Sequence, residues 1–364
     1  MRVRHVFTTG MLAPVVPLEM GDPKPDQLQG TARERLCELC CRVCYDSLGS
    51  GRSSDLLHQH ILDVEHLSVY EHASVTVQWD GYTPEHVSVL QALINRPGVY
   101  VYHDPINYCM LRVTANLRAI LEWGKHGNHF QLPEVYDMLL HAASKSAPRV
   151  FNFNYVSAHK PPRQGSLFDT DTVMRMQPHV VDDADDQRNP HEVFTSMYVE
   201  GSRGWSHEEV RHRESAYSQR STRYCDEAES PWEEHPVLVG RLDQKTEKYL
   251  SSAQREARKA YMNVVEDVQA SLVGVVDDKL TARKQARGAA RGYLGNALQT
   301  AMIVTRSAHQ WEYYFRKRGT VHADAEIREV ACRCLDEIKR TTAAKFFIHL
   351  STAASPDGIG RVIV

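Results

Sequence analysis

The sequence predicts a mixed α/β (α+β) protein, and three observations carry that expectation. Short β-branched runs such as Val75-Thr76-Val77-Gln78-Trp79 and Ala301–Thr305 are interleaved with longer segments of helical period. The 364 residues are enough for one large or two medium domains with a substantial core. Composition is that of an ordinary globular chain, 42% hydrophobic and 24% charged. No apolar run reaches the roughly 18 residues a membrane span needs.

Taken in order, Arg2–Thr8 reads as a strand and is followed by a Pro/Gly-rich loop to residue 30. A helix covers about 31–47, and after the Gly49–Ser54 turn a second runs from Asp55 to Leu62. His66–Ser74 is a polar loop feeding the strand at Val75. Its His66, Ser68 and His72 suit ligand binding and suit cap or core roles equally. Pro84–Ile94 and Asn107–Trp123 carry helical patterns around a short strand, Val99–His103. Within the second pattern, Asn116 and Arg118 fit either contact with a large cofactor or an exposed helix shoulder. Residues 161–189 read as a long acidic surface loop centred on Asp182–Asp186, and strand residues resume at Val193–Val199.

After an acidic loop at 226–234 come an amphipathic helix, Gln244–Leu272, and a basic one, Asp278–Ala290, with Gly295 as its stop. The strand Ala301–Thr305 leads to helices at Ser307–Lys317, Ala323–Ile338 and Thr342–Leu350. No internal repeat or low-complexity segment is visible. Neither G-x-G-x-x-G nor G-x-x-x-x-G-K-[ST] occurs, so nucleotide binding has to use another device.

Cys37, Cys40, Cys41 and Cys44 invite a metal reading. On one helix they form a stripe, which does not wrap four ligands around one zinc, so a buried helix face is expected and no metal. The first ten residues lack the apolar core of a signal peptide, which points to the cytoplasm and to free thiols for the eight cysteines.

The densest chemistry lies at 211–224, where fourteen residues hold four arginines, a histidine, three serines, two tyrosines and a glutamine. Arginine forks grip phosphate or carboxylate oxygens in pairs, and hydroxyl and amide groups complete such a cradle. A net charge of −3 makes any anion binding local. A nucleic-acid-binding module is the rival reading, since Arg interleaved with Tyr can track phosphates and stack on bases. The overall charge disfavours it, and a yellow purified protein would separate the two.

Arg211-His212-Arg213 followed by Ser221-Thr222-Arg223-Tyr224 resembles the signature of the flavin-dependent thymidylate synthases. His66, Ser68 and His72 resemble an earlier family element, and Cys44-Tyr45 a common pair. Arg318 followed by His322-Ala323-Asp324-Ala325-Glu326-Ile327 is similar to the family's C-terminal motif. The matched regions cover about 31–80 and 193–340.

The resemblance implies a single domain over 1–364, an antiparallel sheet flanked by helices. An insertion at 82–192 would separate an inner strand pair, Ser74–Asp80 and Thr195–Glu200. It implies FAD contacts from Ser68, Arg211, His212, Arg213 and Gln219. The nucleotide cradle would be Glu208, Arg211, Gln219, Arg220, Ser221, Thr222 and Arg223, joined by Arg291 from another subunit. Arg318 would be catalytic, against the uracil. Where the family has Asn-x-Arg after its C-terminal strand, this chain has Ser307-Ala308-His309, and Tyr313 stands at a later Asn. Asn116 and Arg118 are the expected replacements as flavin contacts.

The implied reaction is reductive C5-methylation of UMP or dUMP, with methylenetetrahydrofolate as carbon donor, FAD as hydride carrier and NADPH as reductant. The divergence suggests a specialised relative of the kind that serves nucleoside-antibiotic (polyoxin-type) biosynthesis, the alternative being a housekeeping dUMP enzyme. An inactive scaffold relative is disfavoured by the retained Arg211, Ser221, Arg291 and Arg318. The resemblance further implies a homotetramer with shared sites, and no nucleic-acid or membrane partner.

Overall fold

The computed structural model describes residues 1–80, 96–103, 110–125, 133–151, 177–181, 183 and 188–364. Strand β1 (Arg2–Thr8) precedes helices α1 (Ala32–Tyr45) and α2 (Ser54–Asp63) and a 3₁₀ turn, Leu67–His72. Then come β2 (Ser74–Asp80), β3 (Val99–His103), β4 (Met110–Asn116), α3 (Leu117–Lys125), α4 (Pro133–Ser146) and β5 (Gln177–Val180). The remainder comprises β6 (Phe194–Ser202), α5 (Arg203–Glu209), β7 (Ala216–Gln219), α6 (Gln244–Ser271), α7 (Lys279–Ala290), β8 (Gln299–Ser307), α8 (Ala308–Arg318) and α9 (Ala325–Ile338). A 3₁₀ turn at Thr342–Phe346 and a hairpin of β9 (Ser351–Ala354) and β10 (Gly360–Ile363) follow.

Two four-stranded antiparallel sheets organise the chain, in the orders β1-β6-β8-β7 and β3-β4-β2-β5. Helices α8 and α9 pack on the first sheet, and α1 packs on β7 and β8. One buried cluster joins α1, β2, β4, α3 and α4 and reaches Tyr198 and Ile303 of the first sheet. A second fills the space between β6, β8, α8 and α9. The helix starts are chemically fixed. Thr31 and Glu34 form a reciprocal capping box on α1, and Ser307 and Gln310 form one on α8.

Several expectations are corrected. Ser74–Asp80 does not pair with Thr195–Glu200, because β2 lies between β4 and β5 while β6 lies between β1 and β8. The pattern over Asn107–Trp123 is not one helix. Its residues 110–116 are strand β4, buried on both faces because it is a central strand, with Leu111, Val113 and Ala115 on one face and Arg112 and Thr114 on the other, and Asn116 starts the helix. The C-terminal helix expected at Thr342–Leu350 is only a 3₁₀ turn. Inside the expected surface loop 161–189, β5 extends the second sheet and Asp183 accepts from Arg33 (2.7 Å) and Arg188 (2.9 Å). Pro84–Ile94 lies outside the described residues.

All four cysteines of the α1 stripe are buried free thiols, with Cys37, Cys40 and Cys41 in the first cluster and Cys44 outside it. Burial pushes the Cys37, Cys40 and Cys41 thiols far up and Cys44 to about 11, so these are packing groups rather than nucleophiles. Among the described residues no group of three or more His, Cys, Asp or Glu side chains is placed to hold a metal ion. No described helix is long and apolar enough to cross a membrane.

Candidate functional site

Strand β7 is one of the two edge strands of its sheet, with the basic loop 211–215 at one end and Ser221–Tyr224 at the other. Helix α5 sets where the loop starts. Ser202 caps it by accepting from Trp205 N (2.9 Å), and Glu326 fixes Ser202 through its backbone N–H (2.8 Å) and hydroxyl (2.5 Å). The Glu of the His-Ala-x-x-Glu-Ile motif is therefore a positioning residue.

Beneath the loop lies a buried ion pair that sequence reasoning missed. Arg306 and Glu209 are each about 1% exposed and meet at 2.5 Å. Arg306 also donates to Ser215 Oγ (2.7 Å) and Tyr217 Oη (3.1 Å), and its guanidinium sits 4.2 Å from the Tyr314 ring centroid. Tyr314 Oη donates to the second Glu209 oxygen (2.9 Å). Tyr217 Oη lies 2.8 and 2.7 Å from the carbonyl oxygens of Glu209 and His212, which ties the loop to the strand. The signal available in the sequence was an arginine closing the apolar run Met302-Ile303-Val304, which demands a partner.

On this base the loop presents its charges. Arg318 donates to His212 Nε2 (2.9 Å) and to Glu208 Oε2 (2.8 Å), so Glu208, His212 and Arg318 are brought together. The acceptor role of Nε2 puts the ring proton on Nδ1. Burial, with Arg306 and Arg318 nearby, lowers His212 to about 4 against the opposing pull of Glu209, so its imidazole is neutral at physiological pH. Arg211 and Arg213 are exposed and have no ion-pair partner among the described residues; the Arg211 side chain donates to His207 O (3.3 Å).

Two clefts flank the loop. One of about 440 Å³ lies against α8 and is lined by Arg211–Ser215, Arg306, His309, Gln310, Tyr313 and Arg318. The other, about 390 Å³, is shared by Arg213–Ala216 with Glu71, Gly98, Tyr100, Asn116, Arg118 and Glu122. Asn116 and Arg118 thus stand beside the basic loop. Both also have local partners: Asn116 Oδ1 caps α3 at Ala119 N (2.7 Å), and Arg118 bridges Glu71 (2.5 Å) and Glu122 (2.7 Å). Ser68 is half-buried on the 3₁₀ turn that packs against β7. His72, on the same turn, is buried between Thr305 Oγ1 (2.7 Å) and Ser218 Oγ (3.0 Å), and burial lowers it to about 3.

The other end of β7 is built differently. Gln219 donates to Ser206 (3.1 Å) and Thr300 (3.2 Å), and Arg220 turns inward to Glu227 (2.8 Å) and Ser230 (2.9 Å). Ser221 is held at Cys44 O through its backbone N–H (3.0 Å), and Arg223 is exposed. Arg291, expected to come from another subunit, donates to Thr222 Oγ1 of its own chain at 3.4 Å. Lys284 sits over the Tyr224 ring (4.7 Å), and Arg287 holds Tyr224 O (2.5 Å) and Asp226 (2.7 Å). Arg203, absent from the sequence expectation, is half-buried near Glu227 and Arg291.

The sheet thus carries exposed arginines at both ends of β7, with clefts on each side of one end, a geometry able to grip an anionic group. A sequence profile of the family described as Thymidylate synthase complementing protein matches residues 155–342, just over half of the chain, and the chain belongs to that family. It is 37% identical to the flavin-dependent thymidylate synthase of Mycobacterium sp. (strain KMS) over 155 residues, 42% of this chain and 60% of that one. Similar proteins of that name from Mycobacteroides abscessus (34% over 170 residues) and Corynebacterium diphtheriae (36% over 174) each match 45% of this chain. The chain spans about 60 to 64% of the length of these relatives.

Proposed function

We propose that the protein is a flavin-dependent methylase acting at C5 of a uridine monophosphate, with methylenetetrahydrofolate as carbon donor and NADPH as reductant. The observation that carries this reading is the loop Arg211–Arg213. It offers two exposed guanidinium groups, without ion-pair partners among the described residues, around a neutral His212 clamped by Arg318, between two clefts of combined size suited to stacked rings. Reduced FAD, when bound, supplies hydride, so the protein needs no nucleophile of its own; the deeply buried cysteines of α1 fit that division.

What the chain's residues contribute is binding and electrostatics. Arg211, Arg213, Ser68 and His212 hold the cofactor, with Asn116 and Arg118 on the facing wall. Arg318 stands against the uracil, where a fixed cation stabilises negative charge as it develops on the pyrimidine. Ser221, Arg223 and Arg291 take the phosphate, with Thr222 as the hydroxyl beside Arg291. Glu208, Gln219 and Arg220 complete the cradle mainly by fixing their neighbours. Binding energy from the phosphate end serves to orient the ring. The loop and the Ser221 strap are separated by β7, roughly 13 Å for four strand residues. Sites shared within a homotetramer would bring one copy's strap to another's loop, and α6 exposes Tyr249, Leu250 and Met262 for such contact.

The specialised reading is that UMP is accepted as well as dUMP. The test is FAD uptake followed by visible absorbance, then product formation from UMP and from dUMP with methylenetetrahydrofolate and NADPH. Stoichiometric FAD and a 5-methyl nucleotide are expected. Protein that binds no flavin and methylates neither nucleotide sinks the proposal, and a dUMP preference of a hundredfold or more removes only its UMP part.

A further inference from the structure

The two sheets match strand for strand. All seven pairs of β2 with β4 have counterparts in β6 with β8: Ser74 faces Asn116 as Phe194 faces Ser307, and so on to Asp80–Met110 and Glu200–Ala301. The third strands follow the same register, Tyr100 facing Thr114 as Ala216 faces Thr305. The fourth strands do too, Val180 on Val77 as His5 on Met197, both antiparallel.

The surroundings repeat as well. The equivalent strands β4 and β8 each end in a residue that caps the next helix at its third position, Asn116 for α3 and Ser307 for α8. Helix α4 packs on β2 and β5 as α9 packs on β6 and β1. The buried hydroxyl pair Thr76–Thr114 (2.8 Å) occupies the positions of Ser196–Thr305 (2.6 Å). The Glu71–Arg118 ion pair (2.5 Å) occupies those of His191 and His309, whose rings lie 4.2 Å apart. Independent features coinciding at one register are not expected of two unrelated sheets. Little of this shows in sequence, since only Val113-Thr114 and Val304-Thr305 coincide around the caps. The connections differ in two places: β5 follows α4, whereas β1 comes first in the chain, and β7 reaches β8 only after α6 and α7, whereas residues 104–109 alone join β3 to β4.

We infer that the chain holds two copies of one sheet-and-helix unit, and that the first copy, lacking a basic loop, forms the wall that completes the second copy's cofactor cleft within the same chain. The copies have lost complementary parts. At the positions of Arg213 and Glu214 the first copy has Pro97 and Gly98, and Ala115 stands where the second has the buried Arg306. The second copy has Ser307 and His309 where the first has Asn116 and Arg118. The expected 82–192 insertion thus contains most of the first copy.

The shared cleft joins the two units, with Tyr100 and Ala216 at equivalent positions in its lining, and Gln310 Nε2 donates across it to Tyr100 Oη (2.7 Å). Its charged lining balances Arg118 and Arg213 against Glu71, Glu122 and Glu214. That mixture of donors and acceptors suits a polar heterocycle, whereas the cleft on the α8 side, with four arginines and one glutamate, suits an anion.

The inference rests on the flavin reading, and the test separates the two. Asn116→Asp keeps the capping oxygen while removing the amide donor; it is combined with Arg118→Gln in one chain, and Arg213→Gln is placed in another. FAD affinity is measured by flavin fluorescence for wild type, each variant, and differently tagged variants co-expressed as mixed oligomers, with thermal melts as folding controls. Each variant should bind FAD at least tenfold more weakly with an unchanged melt, and the mixed oligomers should not recover. Recovery of half the sites would mean that the cleft is completed by another chain, and unchanged affinity in the Asn116/Arg118 variant would remove the wall. Both outcomes overturn the inference and leave the methylase reading standing. Wild-type protein that binds no FAD overturns the methylase reading and this inference with it.

Discussion

The two ends of β7 carry similar residues and use them in opposite ways. At the loop end the supporting charge is hidden: Arg306 and Glu209 are buried beneath, and Arg211 and Arg213 are left free at the surface. At the strap end one arginine of the motif itself, Arg220, is drawn inward to Glu227, while its neighbour Arg223 stays exposed. Arginine density therefore does not mark function. What separates an architectural arginine from an available one is a buried carboxylate within reach, because a charge out of water has to be matched.

The contrast is broken most severely at Arg306. Replacing it by Met leaves Glu209 buried without its cation, and loss of one partner of a buried pair costs about 3–5 kcal/mol. Urea unfolding of Arg306→Met should show a loss of that size, and Arg306→Met/Glu209→Gln should recover part of it. A single variant as stable as wild type would mean that the pair is not what holds the loop.

A smaller effect is expected from His72, which links the turn at 67–72 to β7 and β8. Its folded pKa of about 3 lies below the ordinary 6.5, so the unfolded chain takes up the proton more readily. Its contribution to stability is complete above about pH 6.5 and drains as pH falls toward 3, amounting to about 3 kcal/mol lost by pH 4. His212, lowered to about 4, adds in the same direction. Urea midpoints between pH 7 and 4 should fall more steeply in wild type than in His72→Asn. Parallel slopes would show that His72 does not titrate with unfolding.

Much of the C-terminal architecture was legible because local chemistry specified it. The helix starting at Ser307, the strand through Ala301–Thr305 and the basic helix after Asp278 all announce themselves through caps and period. The strip 211–224 was legible because its composition has no place in a core. Sheet partnership was not, since pairing is set by distant residues: nothing near Ser74–Asp80 says that β4 rather than β6 lies beside it. Strand β4 was hard to separate because helix α3 follows it without a break, so the helical period from Leu117 onward overshadows the apolar–polar alternation Leu111-Arg112-Val113-Thr114-Ala115-Asn116. The Arg306–Glu209 pair was invisible for the same reason as the sheet order, its members being 97 residues apart.

The finest test of the contrast compares Arg220 with Arg223, three residues apart in one motif. Arg220→Gln leaves Glu227, itself 1% exposed, with a weaker neutral partner, and should cost about 1–3 kcal/mol of stability. Arg223 has no ion-pair partner among the described residues, so Arg223→Gln should change stability by no more than about 0.5 kcal/mol. Nucleotide affinity should follow the opposite order. Loss of one charge-assisted phosphate contact is worth about 1.5–3 kcal/mol, so Arg223→Gln should bind dUMP or UMP on the order of tenfold to a hundredfold more weakly at low salt. Arg220→Gln, if still folded at the assay temperature, should bind within a few-fold of wild type. Calorimetric titration beside thermal melts reads both quantities on the same samples. Were Arg220→Gln to lose affinity while keeping its melting temperature, the inward arginine would be a ligand after all, and burial beside a carboxylate would no longer separate the two kinds.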